Sequence, residues 1–126
     1  MNRRHTLWAA VLLAGVSLVT SDGAWAHHSF ALFDKHRMVT LQASVRKVQW
    51  SNPHVYLFVE AQDGTGKPKE YTVECTSVVD LTRSGWKRDT IKPGDRVTIE
   101  MYPLRDGALG GLFDSAILAN GKKIKG

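Results

Sequence analysis

Val39-Thr40-Leu41-Gln42-Ala43-Ser44-Val45-Arg46-Lys47-Val48-Gln49-Trp50 is the stretch on which the fold turns. Val39, Leu41, Ala43 and Val45 alternate with polar residues, the period of a strand with one buried face. After Arg46-Lys47 the apolar phase moves to Val48 and Trp50. One extra residue inside a strand turns every later side chain to the other face, which is what a β-bulge does. The stretch therefore predicts a long first strand, bent near its middle. Ser51-Asn52-Pro53 ends it, because proline lacks an amide donor and restricts the residue before it.

Downstream the same alternation recurs. Val55, Leu57, Val59 and Ala61 give the inner face of a second strand, with Tyr56 and Phe58 on the other face. Asp63-Gly64-Thr65-Gly66 reads as a hairpin loop. Tyr71, Val73 and Cys75 form a third strand. Ser77 and Asp80 have the spacing of a capping box, and Gly85 is a natural stop. They bracket a helix of two turns at most, with Val78, Val79 and Leu81 facing the core. Pro93-Gly94-Asp95 is a turn, Val97, Ile99 and Met101 a fourth strand, and Leu112 to Leu118 a fifth. Asn120-Gly121 then signals a hairpin into a short Lys122–Ile124 end. Three strands, a short helix and two strands, with a bent first strand, is the order of the OB-fold, a five-stranded Greek-key barrel. Closing such a barrel needs tilted, strongly coiled strands, which the bent first strand supplies. The expectation is a mostly β, OB-like five-stranded barrel with one short helix between strands 3 and 4. A β-sandwich is the alternative, since periodicity defines strands better than it defines their order.

Upstream, the 126-residue chain opens on Arg3 and Arg4, an apolar run from Leu7 to Val19, and Ala24-Trp25-Ala26. These are the three parts of a secretory signal peptide, with small residues where signal peptidase inspects the chain. The run is shorter than the roughly 20 apolar residues a membrane span needs. Residues 1–26 are therefore expected to be a cleavable signal, and 27–126 a single β-barrel domain in the periplasm. The general secretory route fits better than the twin-arginine one, because Arg4-His5-Thr6-Leu7 lacks the usual apolar sequel. The chain carries a formal charge of +5, and loss of Arg3, Arg4 and Asp22 with the signal leaves +4. A mild basic excess suits solubility or an anionic envelope partner. Export argues against nucleic acid as the ligand. Cys75 is the single cysteine, so no intrachain disulfide can form.

Cleavage after Ala26 would turn His27 into a chain end. An α-amine and the imidazole of the same residue can close a chelate ring, and protons compete only weakly for them at neutral pH. Nitrogen donors of this kind suit Cu(II), Ni(II) and Zn(II), and copper is the cofactor such a site would take. A second imidazole completes the arrangement known as a histidine brace. His54 is the preferred partner, because Asn52-Pro53 aims it at the start of the second strand. His36 in the lead-in is second. His28 is a poorer donor, because adjacent side chains in extended chain point apart. Met38 and Met101 suit packing better than ligation.

A second function class rests on Trp50, Tyr56, Phe58 and Trp86. Together they would form an aromatic ligand-binding surface for an envelope protein or small ligand, as the corresponding face of OB-type barrels does. Catalysis is not indicated. Ser29, His28 and Asp34 are the residue types of a triad but crowd into one short segment. Gly107, Gly110 and Gly111 are not followed by the helix that a phosphate loop requires.

His27-His28-Ser29-Phe30 and Val48-Gln49-Trp50-Ser51-Asn52-Pro53-His54 carry a resemblance, joined by Leu81-Thr82-Arg83-Ser84-Gly85-Trp86, Lys92-Pro93-Gly94-Asp95 and Pro103-Leu104-Arg105-Asp106-Gly107. With these motifs the chain resembles a family of small exported bacterial proteins, a domain of unknown function. The resemblance implies a periplasmic location and brings no activity, ligand or catalytic residue with it.

Overall fold

A computed structural model describes residues 31–126. The chain runs through β1 (Val39–Gln49), β2 (Tyr56–Gln62), β3 (Pro68–Glu74), a short helix α1 (Val78–Arg83), β4 (Arg96–Pro103), β5 (Gly110–Ile117) and β6 (Lys123–Lys125). Neighbours in the sheet run β3-β2-β1-β4-β5-β6, and an extra pairing of β3 with β5 closes the first five into a ring. That closing pair is parallel, with Thr72 opposite Gly110 and Glu74 opposite Leu112. The result is a closed five-stranded barrel with the OB-type strand order, with β6 outside the ring.

β1 is bent where its sequence changes phase. Val45 faces Val59 and Lys47 faces Phe58, so Arg46 is the extra residue. Ahead of the bulge β1 pairs with β4, and from Ala43 onward it pairs with β2. One strand thus serves two sectors of the wall, as the extra twist of a bulge allows. A second bulge lies in β5, where Glu100 faces Ser115 but Met101 faces Phe113, leaving Asp114 unmatched.

The interior is formed by Leu41, Val45, Val55, Leu57, Val59, Val73, Ile99 and Met101, all buried. Cys75 joins them, on the same inward face as Tyr71 and Val73. The capping box forms: Ser77 Oγ accepts from Asp80 N at 3.1 Å and donates to the Asp80 carboxylate at 2.8 Å. The helix buries less than its pattern predicts. Leu81 is fully buried, but Val79 is 49% exposed, because six residues turn only one narrow stripe inward. The lead-in also splits. Phe33 is buried and bridges Leu104, while Leu32 is exposed. Phe30 lies outside the described residues.

β6 is held by charge as well as by its ladder. Glu100 accepts from Ser115 Oγ at 2.6 Å and from Lys123 Nζ at 2.9 Å. The Ser115 hydrogen bond, then the Lys123 hydrogen bond and charge, hold the Glu100 carboxyl below its ordinary range. A carboxylate lowered by folding stabilises the protein above its unfolded pKa, and that contribution is lost as pH falls through the folded value. Glu100→Gln is therefore expected to flatten the acid side of a plot of Tm against pH and leave its slope near neutrality unchanged. An unaltered acid limb would show that this cluster does not feel protonation.

Candidate functional site

At the opening of β2 the chain is tied down from several sides. The Asn52–Pro53 peptide is cis. Asn52 Oδ1 accepts from the Val78 amide at 3.1 Å, at the start of α1. Val55 is bonded twice across the same gap, its N–H donating to Thr76 O at 3.1 Å and its carbonyl accepting from Cys75 N at 2.8 Å. His54 therefore stands between anchored neighbours, on the rim where β3 gives way to the helix.

Its ring is oriented too. His54 Nδ1 lies 3.1 Å from the carbonyl oxygen of Cys75. A carbonyl can only accept, so Nδ1 carries the hydrogen and donates it. In the neutral ring the lone pair then sits on Nε2. Glu74 Oε1 is 3.5 Å from the same Nδ1. Tyr56, directly opposite Glu74 in the β2–β3 register, donates its hydroxyl to Glu74 Oε2 at 3.4 Å. The Tyr56 ring meets His54 edge-on, with centroids 6.4 Å apart. Burial first, and then the charge of Glu74 and its hydrogen bond, push the Tyr56 hydroxyl above its ordinary pKa, so it stays a neutral donor.

The Cys75 side chain points the other way. Its thiol is buried in the barrel, where desolvation and the neighbouring Glu74 charge raise its pKa and disfavour a thiolate. Met101 is buried as well, whereas Met38 is exposed.

The remaining sequence-derived candidates separate. His36 is exposed, its amide held by Asp34 Oδ1 at 3.1 Å, and it precedes β1, whereas His54 lies beyond that strand's far end. His27 and His28 lie outside the described residues. Among the described residues no group of three or more His, Cys, Asp or Glu side chains is placed to hold a metal.

Of the four aromatics, Tyr56 and Phe58 share the outer face of β2, both half-buried, and Lys47 Nζ lies 5.2 Å from the centre of the Phe58 ring. Trp50 packs partly against the core. Trp86 does not belong to that surface. It is 3% exposed, edge-on to Phe113, and donates from Nε1 to the Lys125 carbonyl at 2.7 Å. The segment after α1 folds under β6, and an aromatic with one donor fits a pocket that supplies one acceptor. A groove of about 640 Å³ opens at the other end of β2, lined by residues such as Thr40, Gln42, Glu60, Gln62 and Arg96. None of the sequence-derived candidates among the described residues lines it.

Glu74 and Asn52 are the functional candidates that residue-type reasoning passed over. Glu74 had only a partial signal: counting back from the Asp63–Gly66 loop sets Val73 opposite Tyr56, and the observed register, with Gln62 opposite Pro68, moves Glu74 into that place. The reach of Asn52 to α1 had none, because it spans 26 positions.

The sequence model of a family of unknown function, DUF6152, matches residues 15–114. The chain belongs to DUF6152. The match spans the rim segment, β1 to β4 and most of β5, so the His54 environment lies within the DUF6152 region. No curated protein and no solved structure matches the chain.

Proposed function

We propose that the mature chain is a periplasmic, non-catalytic binding protein that holds a transition metal, copper foremost, between the α-amine and imidazole of His27 and Nε2 of His54. The observation that carries this reading is the hydrogen bond from His54 Nδ1 to the Cys75 carbonyl. Metal-binding histidines commonly donate the non-ligating ring N–H to a carbonyl or carboxylate, which fixes the tautomer and the ring orientation. His54 has that arrangement, and its side chain is 36% exposed.

The test is copper titration by calorimetry on three forms: the chain beginning at His27, the same chain with one alanine added in front, and His54→Ala. The first is expected to bind one ion. The other two should lose more than the roughly 10–100-fold that removal of an outer-sphere partner costs, because each loses a direct ligand. His36→Ala should bind as the parent does. Equal affinity in all forms would exclude the His27–His54 site.

A further inference from the structure

Independently of the metal reading, we propose that the groove at the far end of β2 is a binding site for an acidic oligosaccharide, with Arg96 taking its carboxylate. The groove follows from the course of β1. The β1–β2 ladder stops at Ala43 and Ala61, whereas β1 continues to Val39 against β4. The two strands part at this level, and the groove lies where they part, with Thr40 and Gln42 on one side and Gln62 and Pro68 on the other. The ladders extend it across the barrel wall. Thr98 stands opposite Gln42 in β1 and opposite Ile117 in β5, so the lining spans five strands. At about 4.8 Å between strands this is roughly 19 Å along the surface, room for several sugar rings in line.

Its side chains select the ligand. Sites for drug-like molecules are mostly apolar. Here Thr40, Gln42, Ser44, Gln62 and Thr98 present hydroxyls and amides, all exposed or half-buried. A hydroxyl both donates and accepts, and an amide offers two donors and an acceptor. That supply matches the repeated hydroxyls of a sugar chain better than a peptide, which needs pockets for its alternate side chains. Two charges then decide the sign. Glu60 is neutralised, with Arg46 Nη2 at 2.7 Å from its carboxylate. Arg96, opposite Ser44 in the β1–β4 register, makes no side-chain ion pair or hydrogen bond among the described residues. The uncompensated charge in the groove is therefore one guanidinium, whose planar fork fits a carboxylate.

The test is titration of isotope-labelled protein with a galacturonate tetramer and, beside it, a neutral glucose tetramer, read by backbone amide shifts. The uronate is expected to move the amides of Thr40, Gln42, Ser44, Gln62 and Thr98. It should bind about tenfold more tightly than the neutral sugar, a factor that one charge-assisted hydrogen bond supplies. Arg96→Gln should abolish that difference. Arg88→Gln, the same charge change at an exposed position outside the groove, should leave it intact. Gln42→Ala should weaken both sugars, which tests the groove apart from its charge. Equal losses in Arg96→Gln and Arg88→Gln would reduce the effect to net charge and overturn the site. Shifts centred on Tyr56 and Phe58 would overturn it as well, by placing the sugar at the aromatic end of β2. A tetraglutamate peptide that moves the groove amides as strongly as the uronate would make the occupant a peptide and overturn the sugar reading. No shift with either sugar overturns the proposal outright.

Discussion

Gly110→Ala is expected to open the barrel, lowering stability by about 3 kcal/mol or more through combined backbone strain and overpacking. Gly110 has φ +153°, a value that residues with a side chain rarely adopt. A Cβ there would collide with the carbonyl of Thr72, the residue opposite it in the β3–β5 pairing. Its neighbour Gly111 is crowded from the other side: a Cβ would meet the Tyr102 carbonyl and stand 3.0 Å from Met101 Sδ. Two successive residues without side chains thus let β5 pass between β3 and β4. The parallel pair covers only three residues on each strand, so little else compensates for a lost contact. Urea unfolding is the measurement. Gly64→Ala, in a hairpin loop with nothing within 4 Å of the added carbon, is the control and should change stability by less than about 0.5 kcal/mol. A Gly110→Ala midpoint equal to that of the parent would mean that β5 can shift without opening the ring.

Trp86→Ala is expected to cost about 3–5 kcal/mol, the range for emptying a buried large aromatic site. In a domain of this size, that corresponds to a fall in Tm on the order of 15–30 °C. Three contacts lie behind the figure: the edge-on Phe113 ring at 5.4 Å, the packing around it in the core, and the Nε1 bond to the Lys125 carbonyl. The last ties the segment after α1 to β6, which has only three ladder residues of its own. Trp86→Phe keeps most of the apolar surface and gives up that bond, so its loss should be nearer 1–2 kcal/mol, roughly a hydrogen bond plus a small void. Phe58→Ala, on the half-exposed outer face of β2, should cost less than Trp86→Ala. If the two truncations were equal, Trp86 would not be the core residue that its burial indicates.

The two tryptophans proposed for an aromatic surface show where sequence reasoning stopped. Trp50 ends the bent strand and Trp86 follows a helix stop, and nothing local separates an aromatic that faces water from one that faces a core. The distinction came from β6, whose docking over the helix exit is a contact between residues 39 positions apart. The glycines of the β4–β5 connection were similar. They read as loop, yet Gly110 and Gly111 begin β5, because what they accommodate is the backbone of β3 and β4. Asp114 gave no phase signal strong enough to mark the second bulge, since Ser115 is buried through its bond to Glu100 and not through apolar character.

By itself, the alternation from Val39 to Trp50 determined a strand long enough to serve two partners and the place where it bends. The capping residues and turn dipeptides placed the helix and the hairpins, because each of those signals acts between residues a few positions apart. Tertiary structure alone decided that β3 and β5 meet, that Trp86 is interior, and that Glu74 and the Cys75 carbonyl orient His54. Those are encounters between distant segments, or choices of which way a side chain faces across them. Local periodicity carries no record of such encounters until the ring is closed.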